Sequence, residues 1–255
     1  MDWDGAAYGQ VSALQQEMGR RALAGVSFRG TERVLDVGCG DGRLTRRIAE
    51  QLPDGSVLGV DPSPLMISAA RRAGNGERTR FEIGDVLTMT FQAEFDAAVC
   101  FNALHWVHDQ QRAFTRIAAA MSAPAWALIQ FVCDGERPSL EDVAMQVTAA
   151  PRWRGYFGDF APPYFHADPD RVPAVVARAG LRLVERRIDD VTWDFATREE
   201  FVRWAAVGFT GWTSRLPHDE LVSAFVEDVV DAYASVTGSA AGFAFLQLRL
   251  HLAKD

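Results

Sequence analysis

Three glycines at alternate positions, Gly38, Gly40 and Gly42, follow the apolar run Val34-Leu35-Asp36-Val37, and Asp61 closes a second apolar run at Val57 to Val60. Such glycines let the backbone turn sharply and approach a ligand with no Cβ in the way. A carboxylate roughly 20 residues beyond the loop falls where a doubly wound nucleotide-binding fold sets an acid on ribose hydroxyls. The spacing is G-x-G-x-G, and Arg43 stands where a dinucleotide fingerprint has its third glycine, so NAD is disfavoured. Asp36 and Asp41 place negative charge beside the loop, which repels a pyrophosphate and helps to hold an ammonium group.

The elements that must position these residues are legible from the same runs. Val34 to Val37 reads as a buried parallel strand, Leu44 to Leu52 as a helix and Val57 to Val60 as a second strand. This βαβ opening puts its ligand crevice at the carboxyl ends of the strands. A third strand, Arg80 to Ile83, ends in Gly84-Asp85-Val86, and a fourth runs Phe95-Asp96-Ala97-Ala98-Val99-Cys100-Phe101-Asn102. Asp61-Pro62-Ser63-Pro64 also reads as a strand exit and helix cap, and Asp85 as a turn residue after Gly84. Both local uses are compatible with ligand contact.

In this order the four motifs resemble those of class I S-adenosylmethionine-dependent methyltransferases. The resemblance covers most of residues 1 to 135 and implies S-adenosylmethionine as methyl donor, with S-adenosylhomocysteine as product. It implies a cofactor site made of Tyr8, Asp36, Gly38, Cys39, Gly40, Asp61, Pro62, Met66, Gly84, Asp85, Val86, Phe101 and Asn102. There Asp61 takes the ribose hydroxyls, Asp85 accepts from the adenine amino group, and the end of the fourth strand lies beside the methionine moiety. The stretch Tyr8 to Gln15 looks like an amphipathic leader helix that covers the cofactor, with Tyr8 at its carboxylate. The continuation Asn102-Ala103-Leu104-His105-Trp106-Val107 is similar to the segment of trans-aconitate, malonyl-carrier and juvenile-hormone-acid O-methyltransferases that ends in Gln-Trp or His-Trp.

The implied fold is an α/β, doubly wound, seven-stranded and mostly parallel sheet of order 3-2-1-4-5-7-6. The chain of 255 residues, 48% apolar, suits a single domain over 1–255. Its core is expected at about 30–135, 168–195 and 243–253, with lid segments at 1–25, 136–166 and 196–240. The fifth strand is expected at Trp126 to Cys133, followed by a helix at Leu140 to Ala149, another near Asp168 to Ala179 and a sixth strand from Leu181 to about Phe195. Helical patterns at Arg198 to Phe209 and Pro217 to Ala234 precede a last strand at Phe243 to Leu252.

A net charge of −8 without a long basic run disfavours nucleic acid and anionic membranes as partners. Amino-methyltransferases of bases carry Asp/Asn-Pro-Pro-aromatic in the fourth motif, whereas Asn102 is followed here by Ala103 and Leu104. Cys39, Cys100 and Cys133 read as reduced core thiols, no metal-ligand spacing is found, and no stretch of eighteen apolar residues occurs. A soluble cytoplasmic protein, monomeric or homodimeric, that acts on a small molecule is expected. Lys254 is the only lysine, which argues against Schiff-base chemistry.

Methyl transfer from a sulfonium is an in-line displacement, so the protein mainly aligns the reactants and excludes water. A carboxylate acceptor needs no base, whereas a phenol or carbon acid benefits from a histidine. His105 is the first candidate and His166 the second, while His108 reads as exposed or helix-starting. The aromatic insertion offers Trp153, Tyr156 and Tyr164, with Trp106, as substrate contacts, or else a small core of its own. An anionic acceptor calls for an arginine from the insertions, with Arg152, Arg154, Arg203 and Arg215 available. The leading expectation is transfer to a carboxylate or other oxygen. C-methylation with a histidine base and a catalytically silent cofactor-binding protein are the alternatives.

Overall fold

A computed structural model describes residues 13–74 and 76–255. Seven strands form one sheet in the order β3-β2-β1-β4-β5-β7-β6, as the resemblance implies. They are β1 (Arg33–Val37), β2 (Ser56–Asp61), β3 (Thr79–Ile83), β4 (Phe95–Phe101), β5 (Met121–Val132), β6 (Arg182–Asp194) and β7 (Gly242–Lys254). The strands from β3 to β5 are mutually parallel, and β7 runs antiparallel to both β5 and β6.

The apolar runs become central strands because helices cover both faces of the sheet. Successive side chains alternate between faces: Leu35 and Val37 join one core with Ala98, Cys100, Ile129 and Leu248, while Val34 joins another with Ala97, Val99 and Leu128. The helices that close the parallel crossovers are α2 (Arg43–Ala49), α3 (Pro64–Arg72) and α4 (Gln110–Ala120). They supply Ile48, Ile67 and Phe114, each at most 1% exposed.

β5 begins five residues earlier than the sequence suggests. Pro124 looks like a strand breaker, but it falls where the β4–β5 register shifts between Phe95↔Met121 and Ala97↔Trp126. A residue without an N–H is tolerated at such an irregularity. Among the described residues the three cysteines are free and buried, and burial pushes the Cys133 thiol up to about 11.

The insertions build a second core at the carboxyl ends of the parallel strands. After β5 come α5 (Leu140–Thr148) and α6 (Arg154–Phe157), then α7 (Val172–Arg178) leads into β6. After β6 come α8 (Arg198–Gly208), α9 (Thr210–Thr213) and α10 (Asp219–Thr237). Ser139 opens α5 with a capping box, its hydroxyl accepting from the Asp142 N–H while the Asp142 carboxylate accepts from the Ser139 N–H. Phe201, Trp212, Phe225 and Val229 of these helices are fully buried, together with Leu14 and Met18 from α1 (Ala13–Ala24) and Phe243 and Phe245 from β7. No helix among the described residues is long and apolar enough to cross a membrane.

Candidate active site

The loop after β1 is fastened to the end of β2 by its own backbone. Gly38 and Cys39 both donate their N–H to the carbonyl of Val60, at 2.8 and 3.1 Å. Gly38, Gly40 and Gly42 have φ of 75, 55 and 74°, the left-handed region that glycine enters without strain. Asp61 accepts from the Gly40 N–H at 3.0 Å and from the Ser63 N–H at 2.9 Å. A carboxylate has about four lone-pair sites, so two remain for hydroxyl donors. Burial pushes the Asp61 carboxyl up, and these two N–H groups pull it back. Ser63 caps α3 by accepting from Met66, so the capping role expected of this segment coexists with the orientation of Asp61.

These groups face a cavity of about 510 Å³. Gly38, Gly40, Asp61, Pro62, Met66, Gly84, Asp85, Val86, Phe101 and Asn102 line it, which brings together ten of the thirteen expected cofactor residues. Tyr8 lies outside the described residues. Asp36 and Cys39 stand behind the loop, not in the cavity wall. Asp36 is 2% exposed and accepts from the Thr45 hydroxyl at 2.7 Å, and Cys39 packs with Ile67, Ala70 and Phe81. Alternation explains Asp36, which precedes Val37 on a strand whose end residue meets the cavity. Leu87, Leu104, Val107, His108 and Asp109 also line it. They follow strand ends, a positional signal that residue types alone do not carry. His108 is exposed and Asp109 caps α4 through the Arg112 N–H.

A second cavity, of about 100 Å³, shares Asn102 and Trp106 with the first. Leu14, Met18, Val132, Leu140, Ala205, Phe209, Phe243 and Phe245 make most of it apolar, and His105, Glu141 and Trp204 complete its character. Asn102 sits at the junction with φ 54°, its N–H on the Gln130 carbonyl and its Oδ1 accepting from Gln247 Nε2 at 2.8 Å. Gln247 comes from the last strand, 145 residues away, and neither spacing nor motif marks it.

His105 is 5% exposed, and its Nδ1 has no partner among the described residues. Burial, with a lesser contribution from His166, holds its pKa down at about 3, so the ring is neutral at physiological pH. His166 is outside both linings, 6.3 Å from His105 between ring centroids and 4.0 Å from the Glu141 carboxylate.

The aromatic insertion takes the core alternative. Trp153 is 1% exposed, donates to Asp228 at 2.8 Å and meets Phe225 edge-on. Tyr164 donates to Asp142 at 2.6 Å and stacks on Trp212, while Tyr156 is 40% exposed. None of these three lines either cavity; of the four expected substrate contacts only Trp106 does. The four candidate arginines are exposed and also absent from both walls. Arg152 is held by Asp228 over the Trp153 ring, and Arg215 lies over Phe160.

Residues 34–123 match the family model described as a methyltransferase domain. The chain carries a methyltransferase domain, and its sheet order and glycine loop support the class I S-adenosylmethionine-dependent type. It is 28% identical to trans-aconitate 2-methyltransferase of Mycobacterium ulcerans over 75% of this chain and 82% of that one. It is 30% identical to juvenile hormone acid O-methyltransferase of Bombyx mori, over 60% of this chain and 58% of that enzyme. Its fold is similar to that of a Haemonchus contortus phosphoethanolamine N-methyltransferase solved with S-adenosylhomocysteine, at TM-score 0.63 and 15% identity, over 98% of this chain and 56% of that one.

The cofactor supplies a methyl group on a positively charged sulfur. The methyltransferase's residues suit that group: Asp61 has acceptor capacity left for hydroxyls, the glycine loop leaves room for close approach, and Met66, Val86 and Leu87 offer an apolar slot beside Asp85. Asp36 is buried behind the loop against the Thr45 hydroxyl. Burial, chiefly, pushes its carboxyl up to about 7, with the nearby Asp61 adding to the shift. Between about pH 4 and 7 the folded chain therefore holds a proton that the unfolded chain has released, and stability falls as pH rises through that window. The methyltransferase bearing Asp36→Asn is expected to be about 1–3 kcal/mol more stable than wild type at pH 8.5 without cofactor, and to show no such gain at pH 5. Thermal melts at the two pH values check this, and an equal effect at both would contradict it.

Proposed function

We propose that this enzyme methylates an oxygen of a small-molecule acceptor whose largely apolar body is held in the second cavity. The observation that carries the reading is that the two cavities share Asn102 and Trp106, so that a group entering from the apolar side meets the cofactor side at one junction. The Mycobacterium and Bombyx relatives support oxygen as the acceptor atom, one being named for acid O-methylation. Recognition of a small molecule agrees with a narrow, mostly apolar cavity with few polar groups.

The neutral His105 ring orients the acceptor through a hydrogen bond. With its pKa held near 3 it is a poor base at neutral pH, which argues against C-methylation driven by this histidine. Cofactor residues fix the donor, Asn102 and Trp106 form the gate, and the second core excludes water.

The test is a screen of small phenols, alcohols and carboxylic acids with methyl-labelled donor, reading both the labelled product and S-adenosylhomocysteine. Label in an ether or ester is expected. Label attached to carbon would replace this reading with C-methylation, and donor binding with no turnover across the screen would replace it with a silent cofactor-binding role.

A further inference from the structure

The wall of the second cavity has a charge character that an acid-binding site should not have. Among the described residues neither Arg nor Lys lines it, and its ionisable members are His105 and Glu141. Glu141 enters from the first turn of α5, with its side chain 14% exposed. Asp142, next to it, is already engaged by Ser139 and Tyr164 and faces away into the second core. His166 Nε2 lies 4.0 Å from the Glu141 carboxylate, beyond hydrogen-bond distance, and His166 does not line the cavity. A carboxylate acceptor would thus enter a confined, weakly screened space against a carboxylate with no Arg or Lys among the described lining residues to offset it. Like charges at that range repel strongly.

We propose that Glu141 selects the acceptor: its carboxylate receives the hydrogen of a neutral hydroxyl and turns away molecules that present a carboxylate. This rests on the second cavity being the acceptor site. His105, nine-tenths buried in the same wall with Nδ1 unpartnered among the described residues, supplies the second polar contact that such a hydroxyl needs. The acceptor oxygen bonds to the methyl carbon as the carbon–sulfur bond breaks, the bonding pair stays on sulfur, and Glu141 takes the hydroxyl proton. One positive charge on sulfur and one negative charge on Glu141 disappear together. Glu141 is thus both selector and proton acceptor.

The experiment uses 4-methylphenol and 4-methylbenzoate, which differ at the group that would face Glu141. Binding is read at pH 8 from tryptophan fluorescence, since Trp106 and Trp204 line the cavity, with S-adenosylhomocysteine bound and its own affinity measured first by calorimetry. Wild type is expected to bind the phenol at least tenfold more tightly than the benzoate. Glu141→Gln should erase or invert that preference, and Glu141→Asp, which keeps the charge, should retain it. A preference unchanged in Glu141→Gln, tighter benzoate binding by wild type, or no response to either probe would overturn the assignment. Failure of wild type to bind S-adenosylhomocysteine would instead strike at the cofactor site.

Discussion

Gly38→Ala is expected to weaken S-adenosylhomocysteine binding by at least a hundredfold. Gly38 has φ 75°, and a Cβ there would collide with the Cβ of Ala103 at the end of β4. A non-glycine residue in the left-handed region costs roughly 1–2 kcal/mol, and forced overpacking roughly 1–3 more. Relief requires the loop to lift from the Val60 carbonyl, which moves the backbone that lines the cofactor cavity. Gly40→Ala provides the contrast. Gly40 has φ 55°, but a Cβ there meets no atom of the described residues within 4 Å, so the fold should tolerate it at the backbone cost alone. Any affinity lost beyond that cost in Gly40→Ala reports direct approach of the cofactor. Calorimetry and melts on both variants check the pair, and unchanged affinity in Gly38→Ala would mean that this loop does not hold the cofactor.

The second large effect is on stability. Trp153→Ala should destabilise the protein by about 3–5 kcal/mol, because it removes a fully buried ring packed edge-on against Phe225 and leaves Asp228 without the indole donor. Trp153→Phe should cost less, since the ring remains. In both variants the acceptor KM of the folded enzyme should stay within about twofold of wild type, as Trp153 lines neither cavity. Urea melts and steady-state kinetics separate the two quantities. A KM raised more than tenfold with little loss of stability would return Trp153 to the substrate site.

The sheet was legible because its determinants are local. β1, β2 and β4 are apolar runs closed by Gly38, Asp61 and Asn102, and such a run, largely buried, needs no long-range information to be recognised. The glycine loop and Asp61 were legible for a similar reason, since backbone permissiveness and a carboxylate at a strand end belong to particular residue types at a fixed spacing. Asp36 and Cys39 show the limit of this logic. They belong to the motif, yet alternation along β1 and packing under Gly59 turn them from the cavity.

The acceptor side was much less legible. Its wall joins α1, the segment after β4, α5, α8 and the start of β7, so its members are neighbours only after the chain has closed. Glu141 reads in sequence as a first-turn acid on a capped helix, and Gln247 as one polar residue on a mostly buried strand. The aromatic run from Trp153 to Phe165 carries a strong signal of burial but none of direction. It spends that burial on Phe225 and Trp212.

S-adenosylmethionine is expected to bind at the end of β2 and the glycine loop. Calorimetric titration of wild type and Asp61→Ala with S-adenosylmethionine tests it most directly, with melts to show that both are folded. Wild type should bind, and the substitution should weaken binding about 10- to 100-fold, equivalent to roughly 1–3 kcal/mol for lost charge-assisted hydrogen bonds. No binding to folded wild type, or equal affinity in folded Asp61→Ala, would contradict the account.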